Sequence, residues 1–286
     1  MDVHFPPKMW VGTSSWSSKD WCGSFYPESI APAEMIREYS KKLPTVEIDA
    51  TWYRMPDVRT VETWKSKTPE GFIFSAKVPK IITHEKYLED CESELNEFIS
   101  VMSRLEDKMG PLLFQFPYFA KGMDPQEYET GIDFIGRLKT FVKLLPKDFR
   151  WVVEIRNKKW VRSPLLDLLR DRRISLAFID YYTMDPLHKL AQRSEVFTAP
   201  FVYVRFLGNR KYIESLVKKG KKEVQRSRDW GSLIIDRTEQ MRLWIQPLRD
   251  LAGKNIPTYV YFNNHYAGYA PGSVELLSQL FSHAAF

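Results

Sequence analysis

The chain has 286 residues, 44% hydrophobic and 27% charged, which is enough apolar material for a large core and is not the composition of a disordered protein. A formal net charge of +6 and a sequence pI near 9.1 favour solubility and anionic partners without singling out nucleic acid. Cys22 and Cys91 are too far apart for a CxxC redox pair or a cysteine zinc cluster, and Pro6, Pro7 and Lys8 stand where an export segment would be apolar. With no stretch long enough to span a bilayer, the expectation is a cytoplasmic protein without membrane attachment.

Taken in chain order, eight short runs rich in β-branched and aromatic residues read as strands: Met9 to Gly12, Thr45 to Asp49, Phe72 to Lys77, Leu112 to Phe116, Trp151 to Ile155, Ser175 to Ile179, Phe201 to Phe206 and Thr258 to Phe262. Helical periodicity fills the intervals, clearest in Leu95, Phe98, Met102 and Leu105, in Ile132, Ile135, Leu138 and Val142, and in Met241, Trp244, Ile245 and Leu248. A last helix carries Val274, Leu277 and Phe281 behind Pro271. Ser163 before Pro164 suits a helix start, and Gly110 and Gly253 read as helix stops. Eight strands alternating with crossovers predict an α/β fold, a single (β/α)8 TIM-type barrel of parallel strands occupying 1–286, with a doubly wound open sheet as the alternative. The basic stretch from Asn209 to Trp230 reads as a long excursion after strand seven.

In such a barrel the site forms where the strands end. Here the ends are polar: Asp49 and Thr51 after strand two, Lys77 after strand three, Gln115 after strand four, Glu154 and Arg156 after strand five, Asp180 after strand six, Arg205 in strand seven, Asn263 and Asn264 after strand eight. Strand alternation puts Glu154 and Arg156 on one face and Val153 and Ile155 on the other, and sends Glu47 and Asp49 inward if Val46 and Ile48 pack outward. Lys77, Arg156 and Arg205 come from alternate strands and are expected at one level, where three cations need an anion. That anion is either a ligand or the internal set Glu47, Asp49, Glu154 and Asp180, which would make a buried ionic network.

Aromatics crowd the same end: Trp16, Trp21, Phe25 and Tyr26, then Trp52 and Tyr53, Tyr181 and Tyr182, and Tyr266 and Tyr269. They suit either ligand stacking or loop packing. The loops holding Gly208, Asn209 and Arg210 and then Gly268 and Gly272 lie where barrels often bind phosphate. His84 and His265 are the histidines near this mouth, and His84 is the alternative to Glu154 as an acid or base. Few histidines and no HxH or HExxH argue against a metal site, and no cofactor is expected. The run Lys218, Lys219, Lys221, Lys222, Arg226 and Arg228 is interrupted by Glu223, so it reads as a solvated surface or as a contact for nucleic acid.

Several of these segments together resemble the domain-of-unknown-function 72 family, also called YecE-like. They are Gly12-Thr13-Ser14-Ser15-Trp16 with Phe25-Tyr26-Pro27, Val46-Glu47-Ile48-Asp49 leading to Tyr53, Phe72 to Lys77 followed by Thr83-His84, and Gly110 to Gln115. Glu154-Ile155-Arg156, Tyr203-Val204-Arg205 and Tyr261-Phe262-Asn263-Asn264 complete the set. The resemblance implies the same barrel and supplies no reaction or catalytic residue. The chain has Asp49 where that family more usually has asparagine, Leu207 where many members have histidine, and His265 where others have aspartate.

The reading from sequence is therefore a barrel that binds, and transforms if it is an enzyme, a small phosphorylated or carboxylated ligand by metal-independent acid/base chemistry. Lys77, Arg156 and Arg205 hold the anion, Asp49, Tyr53, Gln115, Asp180, Asn263 and Asn264 line the site, and Glu154 or His84 carries the proton. The alternative is a nucleic-acid-binding module that uses the aromatic and basic mouth.

Overall fold

The eight apolar runs become eight parallel strands that close on themselves, β1 pairing with β8, in a computed structural model that describes residues 1, 3–209, 211–213, 215 and 230–283. The strands are β1 Met9–Ser14, β2 Thr45–Ile48, β3 Ile73–Lys77, β4 Met109–Gln115, β5 Trp151–Glu154, β6 Ser175–Asp180, β7 Val202–Phe206 and β8 Thr258–Phe262. The open-sheet alternative is thereby excluded, because a doubly wound sheet has two edges and this one has none.

Alternation along each strand divides the apolar residues into two cores. Val46, Ile48, Phe74, Phe114, Val153, Ile155, Val204, Phe206 and Phe262 face outward and pack with the helices. Leu113, Val152, Ala177, Ile179, Tyr203, Tyr259 and Tyr261 fill the barrel. A strand buried on both faces cannot show a simple alternation of apolar and polar residues, which is why these strands read as continuous apolar runs.

The helix Glu92–Met102 buries Leu95, Phe98, Val101 and Met102, as its period predicts. In Ile132–Phe141 the buried stripe is Phe134, Ile135, Leu138 and Phe141, while Ile132 is 56% exposed, so the first turn departs from the expected phase. Gly110 is not a helix stop. It lies inside β4, where a Cβ would come within 2.5 Å of Ile73 Cγ2, so its missing side chain allows β3 and β4 to close up. Ser163 does not cap its helix through a backbone bond either, since its hydroxyl binds the Asp167 carboxylate instead.

Candidate functional site at the barrel mouth

The C-terminal ends of β2, β5 and β7 meet through charge. Glu47 and Glu154 are fully buried and Arg205 is 2% exposed. Arg205 donates one terminal nitrogen to Glu47 Oε1 at 2.7 Å and the other to Glu154 Oε2. Tyr203, two residues earlier on the same face of β7, donates its hydroxyl to Glu47 Oε2 at 2.6 Å. Both inward residues of β7 therefore serve the Glu47 carboxylate, and the carboxylate's partners come from across the barrel.

Burial opposes charge on these groups, and pairing reverses its effect on two of them. Burial would raise the Glu154 carboxyl, but Arg205, Arg156 and Lys77 outweigh it and hold it below the usual carboxylate range. Burial would likewise lower Arg205, yet Glu154 and Glu47 keep its pKa well above the ordinary value.

Above this triad, Arg156 donates Nε to Glu154 Oε1 at 3.1 Å and stacks over the Tyr181 ring at 4.6 Å. Lys77 pairs with Asp49 at 2.9 Å and sits 4.9 Å from the Trp52 ring centre. His84 lies edge-on to the same indole at 5.1 Å, with Nδ1 2.8 Å from the Thr83 hydroxyl. Burial, then the charges of Lys77 and Arg156, lower the His84 imidazole to about 4, so it is neutral at pH 7.

The expected single level of three cations is not what forms. Arg205 lies beneath, neutralised on both sides, whereas Lys77 and Arg156 stand nearer solvent with side-chain exposures of 8% and 20%. The alternation expected for Glu154 and Arg156 holds, as does the inward position of Glu47 and Asp49. Gln115 is paired in register with Glu154 and is 7% exposed. Tyr53 is 67% exposed beside Trp52.

Three expected site residues lie apart from this cluster. Asp180 lines a separate cavity with Arg237. Asn263 caps the short helix Asn264–Ala267 by accepting from His265 N, and Asn264 Oδ1 accepts from Trp21 Nε1 and Ala270 N. Their amide oxygens hold the last loop in place. Trp21, Phe25 and Tyr26 belong to the outer core, so packing rather than ligand stacking explains the aromatics after β1. Tyr203 does not stand out as a site residue in sequence, where it is one more aromatic in an apolar run.

Arg210 and the basic run from Lys218 to Arg228 lie outside the described residues. Among the described residues no helix is long and apolar enough to cross a membrane, and no group of three or more His, Cys, Asp or Glu could hold a metal ion.

Residues 10–285 match the family described as protein of unknown function DUF72. The chain is 24% identical to the UPF0759 protein YunF of Bacillus subtilis, covering 95% of this chain and 94% of that one. It is 24% identical to the UPF0759 protein YecE of Escherichia coli K12, covering 70% of this chain and 74% of that one. A crystal structure of a DUF72 family protein from Thermotoga maritima superposes with a TM-score of 0.68 at 23% identity, covering 95% of this chain and 97% of that one. The eight-stranded architecture and the match over nearly the whole length agree, and the chain belongs to the DUF72 family.

Proposed function

We propose that the barrel mouth binds a small organic anion, phosphorylated or carboxylated, with Arg156 as its principal contact and Lys77 beside it. One observation carries this reading. Arg156 is fixed by Glu154 through Nε and by the Tyr181 ring, and its two terminal nitrogens have no partner among the described residues. A guanidinium held at its neck with its fork left open matches the bidentate geometry of a carboxylate or phosphate.

The other groups divide the work. Glu47, Glu154 and Arg205 form the base that orients Arg156, since both oxygens of Glu154 are already taken and its carboxyl stays ionised. Glu154 is thus a positioning residue in this reading. Proton transfer, if the ligand is transformed, falls to His84, whose neutral imidazole can accept a proton or donate a hydrogen bond to a developing oxyanion. Burial, then the nearby charges of Lys77 and Arg156, make it a weak base, so the donor role suits it better.

The test is thermal shift with citrate, inorganic phosphate and phosphorylated sugars, repeated on Arg156→Met. A ligand that binds only the native state raises Tm by mass action. The expected result is a shift in the wild-type protein that disappears in the variant. No shift from any anion at millimolar concentration, or an equal shift in Arg156→Met, overturns the proposal. Binding only to oligonucleotides, with a steep loss on adding salt, would instead favour the nucleic-acid reading.

A further inference from the structure

A second cavity, of about 350 Å³, opens beside the mouth where β6 and β7 end against the helix Thr238–Gly253. Its lining includes Asp180, Tyr181, Tyr182, His188, Arg237 and Gln240. The volume is at the small end of the roughly 300–1,000 Å³ range of ligand pockets, and far more than the roughly 30 Å³ share of one water.

The polar groups around this cavity are short of partners. Nδ1 of His188, which lines the cavity, is buried with none. Tyr266, fully buried, leaves its hydroxyl unpaired as well. It belongs to the same corner: Arg237 donates Nε to the Tyr266 carbonyl at 3.0 Å and lies over its ring at 5.2 Å. Burial, then the Asp180 charge, push the Tyr266 phenol up, and burial pushes the Asp180 carboxyl up against the pull of Arg237. Buried polar atoms are almost always satisfied in native proteins, so an unpartnered imidazole nitrogen in the lining, with an unpartnered phenol behind Arg237, points to an occupant that supplies a hydrogen-bond partner.

The chemistry of the lining selects the occupant. Among the described residues of the lining, Asp180 offsets the charge of Arg237, and Asp185 is within 3.8 Å of Lys158, so they present no excess positive charge to attract an anion. Tyr181 and Tyr182 stand 4.4 Å apart, and Tyr182 is 65% exposed, offering an apolar face beside the carboxylate, amide and imidazole. A ligand with hydroxyls on its edges and C–H groups on its face meets all of these at once. We propose that this cavity is a second binding site, distinct from the anion site, and that it takes a small neutral polyhydroxylated molecule, a sugar or cyclitol. Tyr181 forms the wall between the two, since Arg156 of the mouth stacks on it.

Saturation-transfer NMR on the full chain, with D-glucose, D-fructose, D-mannitol and myo-inositol as probes, tests this. At least one probe should give a saturable signal. Asp180→Ala should weaken it by roughly tenfold or more, the loss expected for one hydrogen bond to a charged group. Excess citrate should not displace the probe. Absence of signal from all four probes, an unchanged affinity in Asp180→Ala that keeps the wild-type Tm and circular dichroism, or competitive displacement by citrate would each overturn the proposal. Displacement by citrate would merge the two sites and leave the anion reading standing, whereas loss of citrate binding alone would leave this one standing.

Discussion

Arg205 of β7 and Glu154 of β5 are paired inside the barrel past the intervening β6 with almost no solvent access, 2% and 0% exposed, and the same guanidinium closes on Glu47 from its other end. Breaking a buried pair by deleting one partner leaves buried charge uncompensated, and here two carboxylates would lose the guanidinium they share, Glu154 keeping only Arg156 and Glu47 only the Tyr203 hydroxyl. Arg205→Met should therefore destabilise the protein by about 3–5 kcal/mol, read from urea unfolding. A variant of unchanged or improved stability would restore Arg205 as a ligand group instead of the centre of the network.

Acid should reveal His84. Its pKa of about 4 in the folded protein lies below the ordinary 6.5, so between these values the unfolded chain binds the extra proton and stability falls as pH drops from 6.5 to 4. A shift of that size corresponds to about 3 kcal/mol at full effect, and screening of the half-buried ring reduces the expectation to about 1–2 kcal/mol. His84→Gln should lose less stability than wild type over that window in urea midpoints measured against pH. Parallel curves, or an NMR titration of the ring near 6.5, would contradict the prediction.

Glu154 contributes at lower pH and with the same direction. Its folded pKa is depressed, so the stability from its pairing is present above the unfolded value and is lost as pH falls through the folded one. Glu154→Gln should flatten the acid limb below about pH 4.3, the ordinary glutamate value. Circular dichroism followed as a function of pH gives the comparison, and an unchanged limb would remove Glu154 from it.

Gly12 lies in β1 where a Cβ would come 2.0 Å from the Thr45 carbonyl oxygen. The obstacle is backbone of the neighbouring strand, so it cannot swing aside as a side chain could. Gly12→Ala should cost about 3 kcal/mol or more, the upper part of the range for overpacking. Normal soluble yield and an unchanged Tm would show that β1 and β2 are less constrained than their register implies.

Lys108 makes a different kind of buried contact. Its ammonium, in a residue only 8% exposed, donates to the carbonyls of Lys65 at 2.8 Å and Thr68 at 2.6 Å, at the C-terminal end of the helix Val58–Ser66 and just past it. The cation satisfies acceptors that a helix end leaves open and meets the negative end of the helix dipole. Lys108→Met should cost about 1–3 kcal/mol, the penalty for buried acceptors left unpaired, and urea unfolding measures it. A change within experimental error would mean that water replaces the ammonium.

Strand order, number and inward residues are legible in the sequence because a parallel barrel strand is short, apolar on both faces and ends on a polar residue. That pattern by itself is enough to place Glu47, Glu154, Arg156 and Lys77 at the mouth. Three-dimensional closure decided the rest. Strand alternation assigns a side chain to the interior but not to a depth, so in sequence Arg205 reads as a third ligand cation, whereas its bonds to Glu47 and Glu154 place it underneath. Asp180 follows the same inward logic, yet its neighbour is Arg237, a residue 57 positions along the chain on the approach to the next helix. Loop asparagines show the limit most plainly: Asn263 and Asn264 have the chemistry of ligand contacts, and only the fold reveals that their oxygens are spent on the backbone of His265 and Ala270 and on the indole of Trp21. Local sequence carries the period of a strand and so the neighbours Glu154 and Arg156, whereas the pairing of Arg205 with Glu47 and Glu154 depends on residues that closure of the barrel brings together from 158 and 51 positions away.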